Sequence, residues 1–260
     1  VWVAGDRPAE VEVDILGPDS EEPVWQGRAS CLPGAFCAVD AREFDFTAWT
    51  PEQPLLYRVR TRLVADEIED VHEVITGFRR VRSDREGLWL NGEPLYLRGA
   101  LDQDYTPVAG YAYPGDEALE ARMHAAKQAG LNLLRCHVKL PDPRYLTLAD
   151  RIGLLVWYEL PSWGYPDRPK GALPDELDAE VQAMLRRAAR RDAHHPSLIA
   201  RSIVNEGWGL DLAGSAEDRN ALRSWTRLAR EVDPTRLVID NSAMAGRSHV
   251  DTDLADFHTY

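Results

Sequence analysis

Residues 198–209 read Leu-Ile-Ala-Arg-Ser-Ile-Val-Asn-Glu-Gly-Trp-Gly, and this stretch decides the fold of the chain. Its mostly apolar beginning predicts a buried strand, because parallel strands are covered on both faces and read as continuous hydrophobic runs. Asn205 and Glu206 would then lie at the carboxyl end of the strand, where barrel enzymes hold their chemistry. The alternative is that these two side chains cap the next helix by accepting hydrogen bonds from its first backbone N–H groups.

Glu206 is followed by a glycine turn and by the indole of Trp208. Partial withdrawal from water raises the pKa of a carboxyl group towards neutrality, as a general acid requires. A proton donor of this kind suits a sugar oxygen that must leave with a proton. The residues themselves therefore suggest glycoside chemistry, with Glu206 as the catalytic residue.

The remainder of residues 81–260 alternates apolar runs with helical stretches, which is typical of a parallel barrel. Helical stretches are predicted between the strands, for example at residues 116–129 and 177–191. Six strands are predicted, at residues 95–98, 132–136, 154–157, 198–204, 237–239 and 256–260. A (β/α)₈ TIM barrel needs eight strands, so we expect an incomplete barrel. The opening residues Val1–Ala4 are already strand-like and no initiating Met is present, so both ends are expected to be cut from a longer polypeptide.

Residues 1–80 alternate apolar and polar positions in short runs separated by Gly, Pro and acidic turns. Such runs occur at residues 11–15, 38–40 and 56–63. Period-two alternation with frequent turns is typical of a β-sandwich. We expect an immunoglobulin-like β-sandwich at residues 1–80, followed by the barrel part at residues 81–260.

The composition excludes several classes of protein. The formal net charge of −13 opposes binding to nucleic acid, whose phosphates would be repelled. No apolar run approaches the about 20 residues that span a bilayer, so no membrane helix is expected. The chain has 3 cysteines, too few for a disulfide framework or a zinc site. Cys31 and Cys37 either pair across a turn or are free core thiols.

No short ligand spacing suggests a metal site, and a metal role for His137, Asp240 and His258 would need a fourth converging ligand. We therefore expect neither a metal nor another cofactor. The partner predicted for the chain is a carbohydrate substrate.

Several motifs occur in a characteristic order. A strand entry of Trp49 with Pro51-Glu-Gln-Pro54 and Tyr57 comes first, and Gly77-Phe-Arg79 and the hairpin 90–99 follow it. Arg191, Asp192 and the run His195-Pro-Ser197 then precede the apolar strand that ends in Asn205-Glu206. In order and spacing these motifs resemble glycoside hydrolase family 2, the family of β-galactosidases, β-glucuronidases and β-mannosidases.

This resemblance implies a retaining β-glycosidase with Glu206 as the general acid/base. A retaining enzyme needs a second carboxylate about 5 to 5.5 Å away as nucleophile. In the family this residue is a Glu at the end of strand 7, which would lie beyond residue 260. The chain by itself is therefore expected to be inactive.

The resemblance also implies residues that bind the substrate. Asn205 would form a hydrogen bond with the sugar 2-hydroxyl, and Tyr260 would orient the nucleophile. The sequence departs from the family pattern in two places. Residues 100–104 replace the usual Asn-Arg-His-Glu, and the histidine after strand 2 stands one place early with Lys139 added. The remaining candidates for substrate binding are Arg98, Arg135, His137, Glu159, Trp163 and Trp208.

Each candidate has a structural alternative. The aromatic residues could fill the core, and Glu159 could be a partner of Arg135 inside the barrel. Asn205, Arg135, Glu159 and Tyr260 are expected at the same barrel mouth as Glu206, because all of them lie at carboxyl ends of strands.

Two rival functions remain. One is a non-catalytic carbohydrate-binding protein of the same fold, and the other is a barrel hydrolase of another family. The sequence leaves open the sugar, the aglycone and whether the full-length protein forms a homo-oligomer. It also leaves open the compartment, although the cytoplasm is slightly favoured.

Overall fold

The computed structural model of the protein describes residues 8–34, 37–41, 44–65, 68–162, 173–244 and 249–259. The chain divides into two compact units, Val1–Phe78 and Arg79–Tyr260. Within the described ranges no helix is both long and apolar enough to cross a membrane.

The first unit contains one antiparallel sheet in the order β2-β1-β3-β4. Its core cluster consists of Val11 and Val13 with neighbouring buried side chains, whereas Glu10, Glu12 and Asp14 alternate with them and point the other way. This alternation arises because successive side chains of a strand lie on opposite faces. The strands are β1 (Ala9–Leu16), β2 (Pro23–Cys31), β3 (Tyr57–Ala65) and β4 (Ile68–Thr76).

The sandwich expectation is met only in part. The described residues of the first unit form this single sheet, and the strand predicted at residues 38–40 has no regular secondary structure. A disulfide joins Cys31 to Cys37, with Cα atoms 5.6 Å apart, so these residues are paired and are not free thiols. Cys136 is a buried free cysteine.

The second unit begins with a small antiparallel sheet and continues with six parallel strands in chain order. The small sheet contains β5 (Val81–Asp84), β6 (Gly87–Leu90) and β7 (Glu93–Pro94). The parallel strands are β8 (Gly99–Asp102), β9 (Leu133–Cys136), β10 (Leu155–Glu159), β11 (Leu198–Asn205), β12 (Leu237–Met244) and β13 (Phe257–His258).

In the described part of the chain four helices cover the parallel sheet: α1 (Asp116–Gln128), α2 (Pro143–Ile152), α3 (Asp175–Asp192) and α4 (Ala216–Val232). The order of strands and helices is that of an incomplete TIM barrel. One strand prediction is wrong, because residues 95–98 precede the sheet and its first strand begins at Gly99.

The ends of helix α2 follow from its sequence. Asp142 caps the helix by accepting a hydrogen bond from the Arg144 backbone N–H over 3.0 Å, and Pro143 fits the first turn because that position needs no N–H donor. Gly153 ends the helix at φ 77°, a left-handed conformation that glycine adopts without a Cβ clash.

Two apolar clusters hold the helices on the sheet. Helices α1 and α2 pack on β9 and β10 through a cluster that includes Met123, Tyr145 and Val156. Helices α3 and α4 pack on β11 and β12 through a cluster that includes Leu185 and Trp225. Full burial of a Val, Leu or Met side chain contributes about 1.5 to 3 kcal/mol, so both clusters stabilise the packing of the helices on the sheet.

The His195-Pro-Ser197 run has a structural role at the amino end of β11. His195 Nδ1 lies 2.6 Å from Asp150 Oδ2, and the Ser197 backbone N–H donates to Asp150 Oδ1 over 2.9 Å. Arg236 adds a hydrogen bond from Nη2 to the His195 carbonyl over 2.6 Å. These contacts fix the loop that leads into β11 and therefore the position of the strand that ends in Glu206.

Candidate active site

Glu206 lies in a turn that holds a strained backbone conformation. Its φ is 52°, which is uncommon for a residue with a Cβ, and Gly207 follows at φ 66°. The Glu206 backbone N–H donates to the Ser242 carbonyl over 2.7 Å, and the Gly207 N–H donates to Asn241 Oδ1 over 2.8 Å. Strain of this kind persists only where neighbouring contacts impose it, and it concentrates at functional sites. Strand β12 therefore sets the direction of the Glu206 side chain.

Arg135 connects the polar side chains of the site. From the end of β9 it donates through Nε to Glu159 Oε1 over 2.6 Å and through Nη2 to Asn205 Oδ1 over 3.1 Å. Nη2 also donates to Ser242 Oγ over 2.7 Å, and Nη1 lies 3.2 Å from His258 Nε2. One planar guanidinium thus fixes side chains from four other parts of the barrel mouth.

Glu159 is the anionic partner of Arg135. Its side chain is fully buried at the end of β10, and Oε2 accepts a hydrogen bond from the Val138 backbone N–H over 3.0 Å. Burial raises the pKa of Glu159, against the opposing effect of the nearby Arg135 charge. Glu159 was considered either as a substrate-binding residue or as a partner of Arg135, and the structure shows the contact with Arg135.

Asn205 lies beside Glu206 and is almost fully buried. Its Oδ1 accepts from Arg135, and this contact sets which way the amide faces. Its Nδ2 has no hydrogen-bond partner among the residues that the structure describes. A buried amide donor without a partner is costly, so it marks a position where a ligand acceptor would be stabilising.

His258 contacts the candidate acid directly. Its Nδ1 lies 2.8 Å from Glu206 Oε1, and its Nε2 lies 3.0 Å from Ser242 Oγ. The Ser242 hydroxyl in turn donates to Asp256 Oδ2 over 2.5 Å. From the sequence, His258 was considered only as a metal ligand, and Ser242 and Asp256 were not selected as site residues. His258 was also expected on the opposite side of its strand from Tyr260, but residues i and i+2 of a strand share a face, so the spacing of two was the available signal.

His137 and Trp208 form one edge of the site. Their rings meet edge to face, with centroids 5.9 Å apart. Burial is the largest effect that lowers the pKa of His137, and the positive charge of Arg135 adds to it. The His137 ring is therefore held in its neutral form at neutral pH.

Trp157 belongs to the interior of the barrel part. Its side chain is largely buried, its Nε1 donates to Ser202 Oγ over 2.7 Å, and the Arg135 guanidinium lies 5.0 Å from its ring centroid. Trp157 therefore packs against the guanidinium of Arg135. Trp163 and Tyr260 were also selected from the sequence, and both lie outside the described residues.

Two cations, Arg98 and Lys139, bind groups of this chain. Arg98 precedes β8, and its Nε donates to the Gly130 carbonyl in the loop that leads into β9, so its side chain lies at the amino end of the sheet, away from Glu206. The assignment of Arg98 to substrate binding rested on the strand at residues 95–98 and is corrected with it. Lys139 is buried and pairs with Asp104 Oδ2 at 2.8 Å. Its ammonium is thus held by this chain's own carboxylate.

The chain is similar to known proteins of one family. The model "Glycosyl hydrolases family 2, TIM barrel domain" matches residues 81–258. A β-galactosidase of Thermoanaerobacterium thermosulfurigenes is 29% identical over 198 residues, which are 74% of this chain and 25% of that protein. A putative β-glucuronidase of Formosa agariphila is 28% identical over 193 residues, which are 73% of this chain and 17% of that protein.

A similar fold occurs in a solved structure. The crystal structure of Parabacteroides merdae β-glucuronidase matches with a TM-score of 0.73 and 24% identity, over 89% of this chain and 29% of that one. The chain thus spans a quarter or less of the length of the two sequence relatives and under a third of this structural neighbour. Because the family model matches 178 of the 260 residues, from 81 to 258, the chain belongs to glycoside hydrolase family 2.

Proposed function

We propose that the protein containing this chain is a retaining β-glycoside hydrolase in which Glu206 is the general acid/base. Family membership supports the reaction class, and the names of the two relatives support a carbohydrate substrate. The observation that carries the assignment to Glu206 is its contact with His258, in a strained turn beside Asn205. A helix cap would not need a partly buried imidazole hydrogen-bonded to its carboxylate.

In the proposed reaction Glu206 first protonates the glycosidic oxygen as the bond to the sugar breaks. A second carboxylate attacks the anomeric carbon and forms a glycosyl-enzyme, and Glu206 then removes a proton from the attacking water. Glu159 is a poor nucleophile candidate because Arg135 and the Val138 N–H hold its two oxygens. We assign the nucleophile to a Glu at the end of a seventh barrel strand, which follows the six strands described above.

Asn205 is proposed to bind the sugar 2-hydroxyl. Its Oδ1 is occupied by Arg135, so Nδ2 is the atom that can donate to a ligand. A hydrogen bond to the 2-hydroxyl strengthens as positive charge develops on the sugar ring, and it therefore stabilises the transition state more than the ground state.

The other proposed substrate contacts surround these two residues. His137 and Trp208 would line the sugar site, and Arg135 would act by orienting Asn205. Trp163 and Tyr260 are retained from the family resemblance. We further assign the sheet of the first unit to an immunoglobulin-like β-sandwich.

The test is Glu206→Gln in the full-length enzyme, assayed with aryl β-glycosides that carry good or poor leaving groups. A galactoside, a glucuronide and a mannoside series would first identify the sugar. The variant should lose turnover of the poor substrates but still form the glycosyl-enzyme from the activated ones, because a good leaving group departs without a proton. Azide needs no deprotonation, so it should restore turnover and give the β-glycosyl azide.

Glu217→Gln is the matched control, since Glu217 is an exposed carboxylate in the first turn of α4. It should leave both substrate series unchanged. Equal and undiminished hydrolysis of both series by Glu206→Gln would show that Glu206 is a cap and not the acid/base. Sugar binding by the full-length protein with no turnover of any series would instead favour the non-catalytic carbohydrate-binding protein.

A further inference from the structure

His258 is surrounded by groups whose hydrogen-bonding roles are fixed by their chemistry. Arg135 can only donate, so its Nη1, 3.2 Å away, requires a lone pair on His258 Nε2. The Ser242 hydroxyl directs its single proton to Asp256 Oδ2, at 2.5 Å. The ring proton must therefore be on Nδ1, and this N–H donates to Glu206 Oε1 over 2.8 Å. If Nε2 also carried a proton, this N–H and the Nη1–H of Arg135 would point at each other.

The Nδ1–H tautomer of His258 is imposed by partners that are themselves fixed by other strands. Arg135 is fixed by Glu159, and Ser242 is fully buried in β12 between Arg135 and Asp256. Among the described residues, the charged and titratable groups that face His258 or its partners are Arg135, His137, Glu159, Glu206, Asp256 and His249.

We infer that His258 is a positioning residue for Glu206: its Nδ1–H binds Oε1 throughout the reaction and directs the transferable proton to Oε2. This inference rests on the proposed function of Glu206. The carbonyl oxygen of the protonated acid and the oxygen of the carboxylate both accept the same N–H, so the imidazole keeps one tautomer while Glu206 gains and loses its proton. Nothing is transferred to or from His258.

The contact between His258 and Glu206 should affect the pH profile. A hydrogen bond to a carboxylate is stronger than one to a carboxylic acid, so the His258 N–H favours the ionised form and lowers the pKa of the acid/base. For a substrate with a poor leaving group, kcat/KM falls as pH rises through this pKa. Removal of the donor should move that basic limb to higher pH.

The experiment compares three variants of the full-length enzyme. In His258→Asn, the side-chain amide nitrogen takes the place of Nδ1 and can still donate to Glu206. In His258→Gln, the amide reaches the place of Nε2, so the contact with Arg135 is kept and the donation to Glu206 is lost. His258→Leu removes both. Thermal unfolding and the rate with a strongly activated aryl glycoside report whether each variant is folded.

We expect the basic limb of kcat/KM for a poor substrate to move up by about one pH unit in His258→Gln and His258→Leu. Because the acid is no longer held in place, the plateau of kcat/KM for that substrate, measured below the basic limb, should fall roughly tenfold in these two variants, within the range of general acid catalysis. His258→Asn should stay within about twofold of the parent enzyme.

Identical Asn and Gln profiles, or an unmoved limb in a folded Leu variant, would overturn the inference. If His258→Leu fails to fold, the Asn and Gln pair decides the question. The proposed function and the role of His258 can be disproved separately. A Glu206→Gln enzyme with full activity removes the proposed function, whereas an inactive Glu206→Gln with indistinguishable Asn and Gln variants removes only the role of His258.

Discussion

The guanidinium of Arg135 and the carboxylate of Glu159 form an ion pair inside the barrel mouth, with Nε 2.6 Å from Oε1. Glu159 is fully buried and the Arg135 side chain is 14% exposed. Desolvation opposes such a pair, so it adds little net stability over an apolar substitute, but removal of one partner leaves a buried charge without compensation. Its effect on the site is geometric, because the same guanidinium contacts Asn205 and His258.

Glu159→Gln should therefore reduce both stability and activity. We expect a loss of about 3 to 5 kcal/mol in the free energy of unfolding, measured by urea denaturation. Glu12→Gln is the control, because the Glu12 to Arg62 pair is 3.0 Å apart but exposed, and its loss should cost less than about 1 kcal/mol. Equal losses in the two variants would mean that the buried pair does not hold Arg135.

Asn205→Ala tests the amide beside the acid. The variant should lower kcat/KM for a full substrate by roughly a hundredfold, equivalent to about 2.7 kcal/mol, because a transition-state hydrogen bond to the 2-hydroxyl is lost. The 2-deoxy analogue supplies the internal control, since it cannot accept this bond. The penalty on the 2-deoxy substrate should be several-fold smaller, and an equal penalty on both substrates would assign Asn205 a purely structural role.

The side chain of Glu206 is proposed to serve activity, but its backbone conformation should cost stability. With φ at 52° a side chain is strained, whereas glycine is not. Glu206→Gly should therefore be more stable than Glu206→Ala by about 1 kcal/mol in urea denaturation, although both lose activity on poor substrates. A glycine variant that is less stable than the alanine variant would contradict the strain at this position.

Asp233 should make the free energy of unfolding depend on pH in the acidic range. Burial raises its pKa, but Arg201, 2.6 Å from Oδ2, together with Arg236 and Thr235, outweighs burial and leaves the pKa lowered. A carboxylate with a lowered folded-state pKa adds stability above its unfolded value of about 3.9, and this stability is lost as pH falls through the folded-state pKa. Asp233→Asn should cost about 3 to 5 kcal/mol at pH 7, and this difference should shrink below about pH 4.

Urea denaturation between about pH 7 and pH 3 measures this difference, with the pH range chosen to bracket the unfolded carboxyl pKa. Asp251→Asn is a suitable comparison, because the Asp251 side chain is 45% exposed where it pairs with Arg230. Its effect should stay below about 1 kcal/mol at every pH. A pH-independent cost for Asp233→Asn would show that its charge is not what stabilises the protein.

The sequence by itself determined the succession of parallel strands and the residues at their carboxyl ends. Apolar runs of the right length could be read directly, since burial on both faces leaves only apolar positions. This reading found five of the six parallel strands and brought Asn205, Glu206, Arg135 and Glu159 to one edge of the sheet. It misplaced the first strand and Arg98 with it, because Leu95-Tyr-Leu97 is as apolar as a strand but precedes the sheet.

Only the tertiary structure decided which of these side chains meet. The partners of Arg135 lie 24 to 123 residues away along the chain, and no local pattern encodes contacts at such separations. The pairing of His258 with Glu206 spans 52 residues and depends on the register of β13 against β12. Hydrogen-bond geometry at the barrel mouth is set by how neighbouring strands align, so the sequence could identify candidate residues, whereas the fold determined their contacts and the atoms through which they act.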